Sequence, residues 1–194
     1  MGDRILSADA IANPPPFARA RAAVVYSGIA RRLVHELKFG DRTDLAPWIA
    51  VWMARSGAEL IADADAIVPV PLHRRRMLWR RFNQSAELAR ALSRRFGKPF
   101  LADAVRRIRP TRQQVGLGAR EREANVRGAF RVDEAAEIEV RGRRLLLVDD
   151  VYTTGTTVAA VTRALKRAGA ADVDVLTFAR VLPGDFQPDE AETI

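Results

Sequence analysis

The sequence predicts an α/β fold in which helices flank a mostly parallel central sheet. Two near-continuous apolar runs, residues 66–70 and 145–148, are typical of strands buried on both faces. Amphipathic segments with helical periodicity alternate with these runs along the chain. Alternation of strands and helices favours a parallel sheet, because a parallel return needs a crossover connection. Ligands bind such sheets at the carboxyl ends of the strands, so the functional residues are expected there.

The first half of the chain is predicted to hold an extended lead-in, two helices, a strand and a third helix. Residues 1–25 include three consecutive prolines and are expected to be extended. The first helix runs to the stop signal Gly40, and its apolar face is formed by Ile29, Leu33, Val34 and Leu37. Thr43 is expected to cap the second helix, which has Pro47 in its first turn. A strand over 66–70 and a helix over 83–97 follow.

The second half contains the remaining strands of the predicted sheet. Strands are expected near residues 103–108, over 128–132 and over 143–150. A helix over 156–170 and a last strand over 172–181 complete the pattern. The predicted domain organisation is an N-terminal extension with a helical portion (1–60), a core (61–183) and a loose acidic tail (184–194).

Composition excludes several classes of protein. The chain of 194 residues has no cysteine, which removes disulfides, thiol nucleophiles and cysteine-ligated zinc. Its two histidines are too few to form a metal cage, so no direct metal ligand is predicted. Neither a long uncharged apolar run nor an N-terminal signal region is present, and we expect a cytoplasmic protein without a membrane span.

Positive charge is concentrated in the middle of the chain. Residues 70–131 hold 17 Lys and Arg against 4 Asp and Glu, a local net charge of +13 in a chain of +8. Such a segment suits a polyanion such as diphosphate or single-stranded DNA. Solvated helix faces in an arginine-rich chain are the competing explanation. Trp79 and Phe82 suit either stacking on bases or simple hydrophobic anchoring.

The stretch "LLLVDDVYTTGTT", residues 145–157, predicts a binding site. A strand end is followed by a loop and a helix start, where backbone N–H groups and the helix dipole attract a phosphate. Gly155 lets the backbone approach closely, and the threonines supply hydroxyl donors. Carboxylates repel phosphate, so Asp149 and Asp150 are expected to accept hydrogen bonds from two adjacent hydroxyls. A ribose 5-phosphate combines both features. A phosphate-binding loop of the G-x-x-x-x-G-K-S/T type is excluded, because the Gly97-Lys98 pair is followed by proline and has leucine where the first glycine is required.

This stretch resembles the phosphoribosyl diphosphate (PRPP) signature of type I phosphoribosyltransferases. The resemblance implies that Asp149 and Asp150 hold the ribose hydroxyls. It implies a 5′-phosphate site formed by Val151, Tyr152, Thr153, Thr154, Gly155, Thr156 and Thr157. It also implies a small N-terminal hood portion beside the sheet, and Mg²⁺ bound through PRPP.

The sequence also resembles one branch of this fold, the ComF/GntX group. That group is associated with competence, DNA uptake or the use of external DNA. The resemblance lies in residues 68–89 and 111–130 and, more weakly, in residues 26–41. The resemblance covers roughly residues 20–182. The cysteine-rich zinc ribbon common in that group is not in this sequence. Arg81 stands where a glycine often precedes Phe-Asn-Gln, and Gly118 stands where a helix-capping serine is usual.

The resemblance implies roles for two further segments. The loop after the first core strand would hold the diphosphate, with Leu72, His73, Arg74, Arg75 and Arg76. A mobile hood loop would close over PRPP, with Arg109, Arg112, Gln114, Arg120 and Arg122. No general base is identified, and the catalytic residues are unknown. His35 is expected to have a structural role. Trp48 and Trp52 are expected to be packing residues.

Three functions remain open. The main hypothesis is a protein that binds PRPP or ribose 5-phosphate with Mg²⁺ and transfers ribosyl phosphate to a nitrogen nucleophile, releasing diphosphate. The second is a non-catalytic accessory that binds single-stranded DNA, and the third is a PRPP or nucleotide sensor without turnover. The acceptor is not identified, and homodimerisation is left open.

The hood-loop hypothesis predicts ligand-dependent proteolysis. Residues 109–122 have little apolar content, so nothing offsets their ordering entropy without a ligand, whereas the diphosphate of PRPP offers their arginines a partner. Trypsin cleavage in this segment should slow with PRPP and Mg²⁺ but not with ribose 5-phosphate, as followed by mass spectrometry. Equal cleavage with the two ligands would contradict a diphosphate site.

Overall fold

The computed structural model describes residues 14–40, 42–72, 82–109 and 128–182. In this part of the chain the central sheet has the strand order β1-β6-β5-β2, and every pairing in it is parallel. Its strands are β1 (Arg19–Val25), β2 (Ala66–Pro69), β5 (Arg144–Tyr152) and β6 (Asp172–Arg180). A separate antiparallel pair consists of β3 (Arg106–Arg107) and β4 (Phe130–Arg131). The predicted α/β class with a mostly parallel sheet is confirmed.

Helices cover both faces of the sheet. They are α1 (Gly28–Phe39), α2 (Ala46–Ser56), α3 (Ala58–Asp63), α4 (Gln84–Phe96), α5 (Glu134–Val140) and α6 (Thr156–Arg167). A 3₁₀ turn, Thr43–Leu45, precedes α2. None of these described helices is both long enough and apolar enough to span a bilayer.

The alternation of side chains along β5 divides the core into two layers. Leu146 and Val148 belong to the layer packed under α1 to α4, whereas Leu145 and Leu147 belong to the layer packed under α5 and α6. All four side chains are fully buried. Like β6, β5 also pairs with a strand on each edge, so it is one of the two central strands of the described sheet.

The N-terminal segment is an integral part of the sheet. Residues 19–25, expected only to be extended, form β1 and pair with β6 from Arg19↔Asp174 to Val25↔Arg180. The helices α1 and α2 share one apolar core with Leu176 and Phe178 of β6. The limits of the predicted N-terminal portion, core and tail stay a prediction.

Several local expectations differ from the structure. Thr43 begins a 3₁₀ turn rather than capping a helix, and α2 has no side-chain cap. The strand expected near 103–108 shortens to β3, because the preceding residues turn Ala104 and Val105 into the core. Helix α5 was not predicted, because its Ile138 is exposed and the segment therefore lacks a clear amphipathic pattern.

Four side chains expected to be structural or packed are exposed to solvent. Ile29 is 71% exposed, although it was assigned to the apolar face of α1; Ala30 takes its place there. Trp48 is 75% exposed, whereas Trp52 is less exposed and stacks on Phe178 at a centroid distance of 6.1 Å. His35 is exposed with its ring against Phe39.

Ion pairs join the strands at the amino end of the sheet. The Arg19 guanidinium donates to both carboxylate oxygens of Asp174, at 3.0 and 2.6 Å, and also to Asp63 at 2.8 Å. The Asp174 side chain is only 1% exposed. Since a buried carboxylate without a cation is costly, Arg19 fixes β1 against β6.

Replacing Arg19 should therefore destabilise the protein strongly. Arg19→Met leaves the buried Asp174 carboxylate unpaired, and we expect a loss of about 3–5 kcal/mol in unfolding free energy, measured by urea denaturation. Arg21→Met is the matched control on the same strand, because Arg21 pairs with Glu59 at 2.6 Å on the exposed surface. It should cost less than about 1 kcal/mol. Equal losses in the two variants would contradict a structural role for the buried pair.

Candidate functional site

The acidic pair lies at the carboxyl end of β5. The strand continues two residues beyond its predicted end, and Asp149 still pairs in register with Thr177 of β6. The side chains of adjacent strand residues point to opposite faces. Asp150 is buried, with 6% of its surface exposed, and Asp149 is partly exposed. The two carboxylates are adjacent in sequence but have different surroundings.

Asp150 is held by groups from two helices. The Lys38 ammonium of α1 lies 3.2 Å from Asp150 Oδ2, and both side chains are buried. Gln84 Nε2 of α4 donates to the same oxygen at 3.3 Å. The backbone N–H of Val151 donates to Asp150 Oδ1 at 2.8 Å. Both oxygens of this carboxylate therefore have partners within the protein.

Asp149 has fewer partners. Ser85 Oγ of α4 donates to Asp149 Oδ1 at 2.7 Å, and the Asp150 N–H donates to the same oxygen at 3.0 Å. Burial, with the neighbouring Asp150 charge, raises the pKa of Asp149 to about 7, while Ser85 and Lys38 oppose this shift. Within the described residues, both hydrogen bonds to Asp149 reach Oδ1 and none reaches Oδ2, so this carboxyl group is the one placed to meet an external donor.

The loop after β5 forms the start of α6. Gly155 has φ of 74° and is the N-cap residue, without a side-chain cap bond. The first turn of α6 contains no acidic residue, and its first N–H groups have no intrahelical partner. Thr154 and Thr156 share a hydroxyl hydrogen bond of 2.7 Å. Positive helix-end charge, free donors and hydroxyls together suit a phosphate group.

Tyr152 determines the shape of this loop. Its ring packs edge-on against Phe17 at 6.4 Å, and the Arg180 guanidinium lies 5.6 Å from its centroid. A Cβ atom at position 155 would collide with the Tyr152 ring and hydroxyl. Position 155 therefore requires glycine for two reasons, its positive φ and the contact with Tyr152.

The start of α4 is tied to the end of β2. Asn83 caps α4 by accepting a hydrogen bond from the Ser85 N–H at 3.1 Å, and its amide donates to the Val70 carbonyl at 3.0 Å. Asn83 is therefore the N-cap residue of α4. The next residue, Gln84, reaches Asp150. This cap places Gln84 and Ser85 beside the acidic pair.

The other predicted site residues are only partly described. Leu72 follows β2 and is partly buried, and Arg109 is exposed after β3. The rest of the predicted diphosphate loop lies outside the described residues: His73, Arg74, Arg75 and Arg76. Trp79 of the basic segment and the remaining hood-loop residues also lie outside the described residues: Arg112, Gln114, Arg120 and Arg122. Their roles stay predictions.

Lys38 is a site residue that sequence reasoning missed. It lies on the buried face of α1 together with Ala30, Val34 and Leu37. A lysine at an apolar position of an amphipathic helix was the available signal, because a buried ammonium needs a carboxylate partner. Within the described ranges, no group of three or more His, Asp or Glu side chains is arranged to hold a metal ion.

Comparisons with known proteins identify the family of this chain. A family model described as "Phosphoribosyl transferase domain" matches residues 83–192. "DNA utilization protein YhgH" from Escherichia coli (strain K12) is 40% identical over 178 residues, covering 88% of this chain and 75% of that protein. "Competence protein F" from Haemophilus influenzae is 38% identical over 157 residues, covering 76% of this chain and 66% of that protein.

A glutamine PRPP amidotransferase from B. subtilis, solved with ADP and GMP, aligns with a TM-score of 0.43 at 21% identity. The alignment covers 75% of this chain and 25% of that chain. The family match extends over more than half of the present sequence, and the curated relatives match nearly all of it. The chain therefore belongs to the ComF/GntX family of phosphoribosyltransferase-fold proteins.

Proposed function

We propose that this protein binds PRPP, or its core ribose 5-phosphate, at the carboxyl end of β5 and transfers the ribosyl phosphate to a nitrogen nucleophile. The single observation that carries the proposal is the acidic pair directly before the Gly155 loop. The carboxylates of this pair can accept hydrogen bonds from ligand hydroxyls, and the start of α6 a few residues later can bind an anion. The resulting order of groups matches that of a ribose with a 5′-phosphate.

The charges of the site support separate subsites for the two ends of the ligand. A phosphate dianion is repelled by Asp149 and attracted by the α6 N-terminus, which orients the ligand with its hydroxyls towards β5. The hydroxyl groups of Thr154 and Thr156 can donate hydrogen bonds to the phosphate oxygens. Hydrogen bonds to an ionised carboxylate are stronger than those to a neutral group, so an ionised Asp149 favours hydroxyl binding.

In the proposed transfer, the bond between ribose C1 and the diphosphate oxygen breaks as the nitrogen nucleophile bonds to C1. The diphosphate leaves with the electron pair, and the nitrogen releases its proton. Mg²⁺ carried on the diphosphate would neutralise charge on this leaving group. Magnesium commonly binds through substrate phosphates rather than an all-protein cage. Here the protein binds and orients the sugar phosphate.

Titration calorimetry with ribose 5-phosphate and with PRPP plus Mg²⁺ tests the binding, and a diphosphate-release assay tests the transfer. Gly155→Ala should weaken ribose 5-phosphate binding at least about tenfold, corresponding to about 1.4 kcal/mol, because the new methyl group displaces Tyr152 and reshapes the loop.

Gly142→Ala is the control for this variant. Gly142 has φ of 73°, nearly that of Gly155, but no atom lies within 4 Å of its Cβ position. The control variant therefore carries the same backbone strain without the collision, and its ligand affinity should equal that of the wild type. Equal affinity losses in the two variants, or unchanged binding by Gly155→Ala, would contradict the phosphate site.

We propose single-stranded DNA binding as a second candidate function. Two observations favour it: the local charge of +13 over residues 70–131, and the names of the relatives, which refer to DNA utilization and competence. In the described part of this segment, Arg94, Arg95, Arg106 and Arg109 are exposed. Exposed arginines suit phosphate contacts that do not depend on base sequence.

DNA binding through this segment predicts a steep salt dependence. Each neutralised phosphate of a single strand contributes about −0.7 to the slope of log K against log salt, so Arg94→Ala with Arg95→Ala should flatten the slope by about 1.4. Arg32→Ala with Arg55→Ala removes the same charge from exposed positions outside the segment and should leave the slope nearly unchanged. Fluorescence anisotropy with an oligothymidylate measures both. Equal flattening in the two variants would assign binding to net charge alone.

A further inference from the structure

The ion pair between Lys38 and Asp150 joins the N-terminal helix α1 to the predicted ligand site. Only 2% of the Lys38 side chain and 9% of the Asp150 side chain are exposed, and the Nζ–Oδ2 distance is 3.2 Å. Burial of both charges is expensive, and the pair is retained only where geometry and further hydrogen bonds compensate for it. Gln84 and the Val151 N–H supply those bonds.

The partners of Asp150 leave it little capacity for a ligand. Lys38 and Gln84 contact its Oδ2, and the Val151 N–H contacts its Oδ1. Asp149, in contrast, is partly exposed, and its described hydrogen bonds both reach Oδ1. Gln84 itself is buried with its Oε1 unpartnered among the described residues, so its position is explained by the bond that it donates to Asp150.

We propose that Lys38 is a positioning residue of the ribose site: it acts through Asp150, which it holds against α1, and so leaves Asp149 as the carboxylate that meets the ligand hydroxyls. This assignment rests on the proposed function and deepens it. It divides the roles of two adjacent carboxylates that the sequence pattern treats alike, and it makes α1 part of the site.

Electrostatics gives the assignment a measurable consequence. The charged groups facing Asp149 are Asp150 on its own strand and Lys38 on α1; Ser85 and Gln84 of α4 and Thr177 of β6 are neutral. Lys38 lowers the pKa of Asp149 and Asp150 raises it. Ligand binding by the ionised carboxylate should therefore strengthen as pH rises through the pKa of Asp149, and loss of Lys38 should move this midpoint upward.

The experiment measures ribose 5-phosphate affinity between pH 5 and 9 by calorimetry, with thermal unfolding recorded alongside. Lys38→Met should weaken binding at pH 7 at least tenfold and shift the midpoint up by about one unit or more. Arg32→Met, an exposed charge loss on the same helix, should do neither. Asp149→Asn should abolish the Asp149 midpoint, leaving the titration of the ligand phosphate near pH 6.

Charge removal at both partners separates positioning from packing. Lys38→Met with Asp150→Asn leaves no unpaired buried charge and removes the repulsion on Asp149. This double variant should regain most of the stability and affinity lost in Lys38→Met, and its midpoint should return towards the wild-type value. The double variant has no unpaired buried charge and should fold even if Lys38→Met does not, so the assignment can be tested in either case.

Two outcomes overturn the assignment while leaving the proposed function intact: wild-type-like affinity and midpoint in Lys38→Met, or a double variant that binds no better than Lys38→Met. A wild-type protein that binds neither ribose 5-phosphate nor PRPP would instead refute the proposed function, and this assignment with it.

Discussion

The burial of β5 is the constraint on which the rest of the structure depends. This strand pairs on both edges and is covered on both faces, yet it ends in two carboxylates. Charges at the end of so enclosed a strand destabilise the fold unless other groups compensate for them. Lys38, Gln84 and Ser85 provide that compensation from two helices. The packing of α1 and α4 against the sheet is therefore an electrostatic requirement as well as a hydrophobic one.

The two ends of the sheet have different tasks. At the amino end, Arg19 and Asp174 form a bidentate pair that fixes β1. At the carboxyl end, Asp149 keeps a raised pKa and the α6 start keeps free donors. A charge whose partners are all supplied by the protein stabilises the fold, whereas a group with a perturbed pKa or unpaired donors marks a candidate ligand site. This asymmetry supports the proposal that ligands bind at the carboxyl end of the described sheet, as expected for a parallel sheet.

Local sequence patterns were sufficient for the elements whose cause is local. Apolar runs identified β2, β5 and β6, and the periodicity around Leu88 and Leu92 identified α4. The acidic pair and the Gly155 turn were predictable because strand end, loop and helix start are contiguous. Long-range pairing was not predictable: β1 is a strand only because β6 lies beside it, and Lys38 is a site residue only because α1 packs against β5. The exposure of Ile29 and Trp48 has the same origin, since the orientation of a helix depends on what it packs against.

The acidic end of β5 also constrains how a sugar phosphate and a nucleic acid could both be bound. Phosphate backbones are repelled by Asp149 and Asp150, which together carry more negative charge than Lys38 neutralises once Asp149 is ionised. A single strand therefore gains most where positive charge is unopposed, as at the exposed Arg94 and Arg95 in the last turn of α4. The first residues of that same helix contact the acidic pair. Helix α4 thus joins the proposed sugar-phosphate site to an exposed basic end. Under the two proposals, the two ligand classes would meet opposite ends of one helix instead of competing for one pocket.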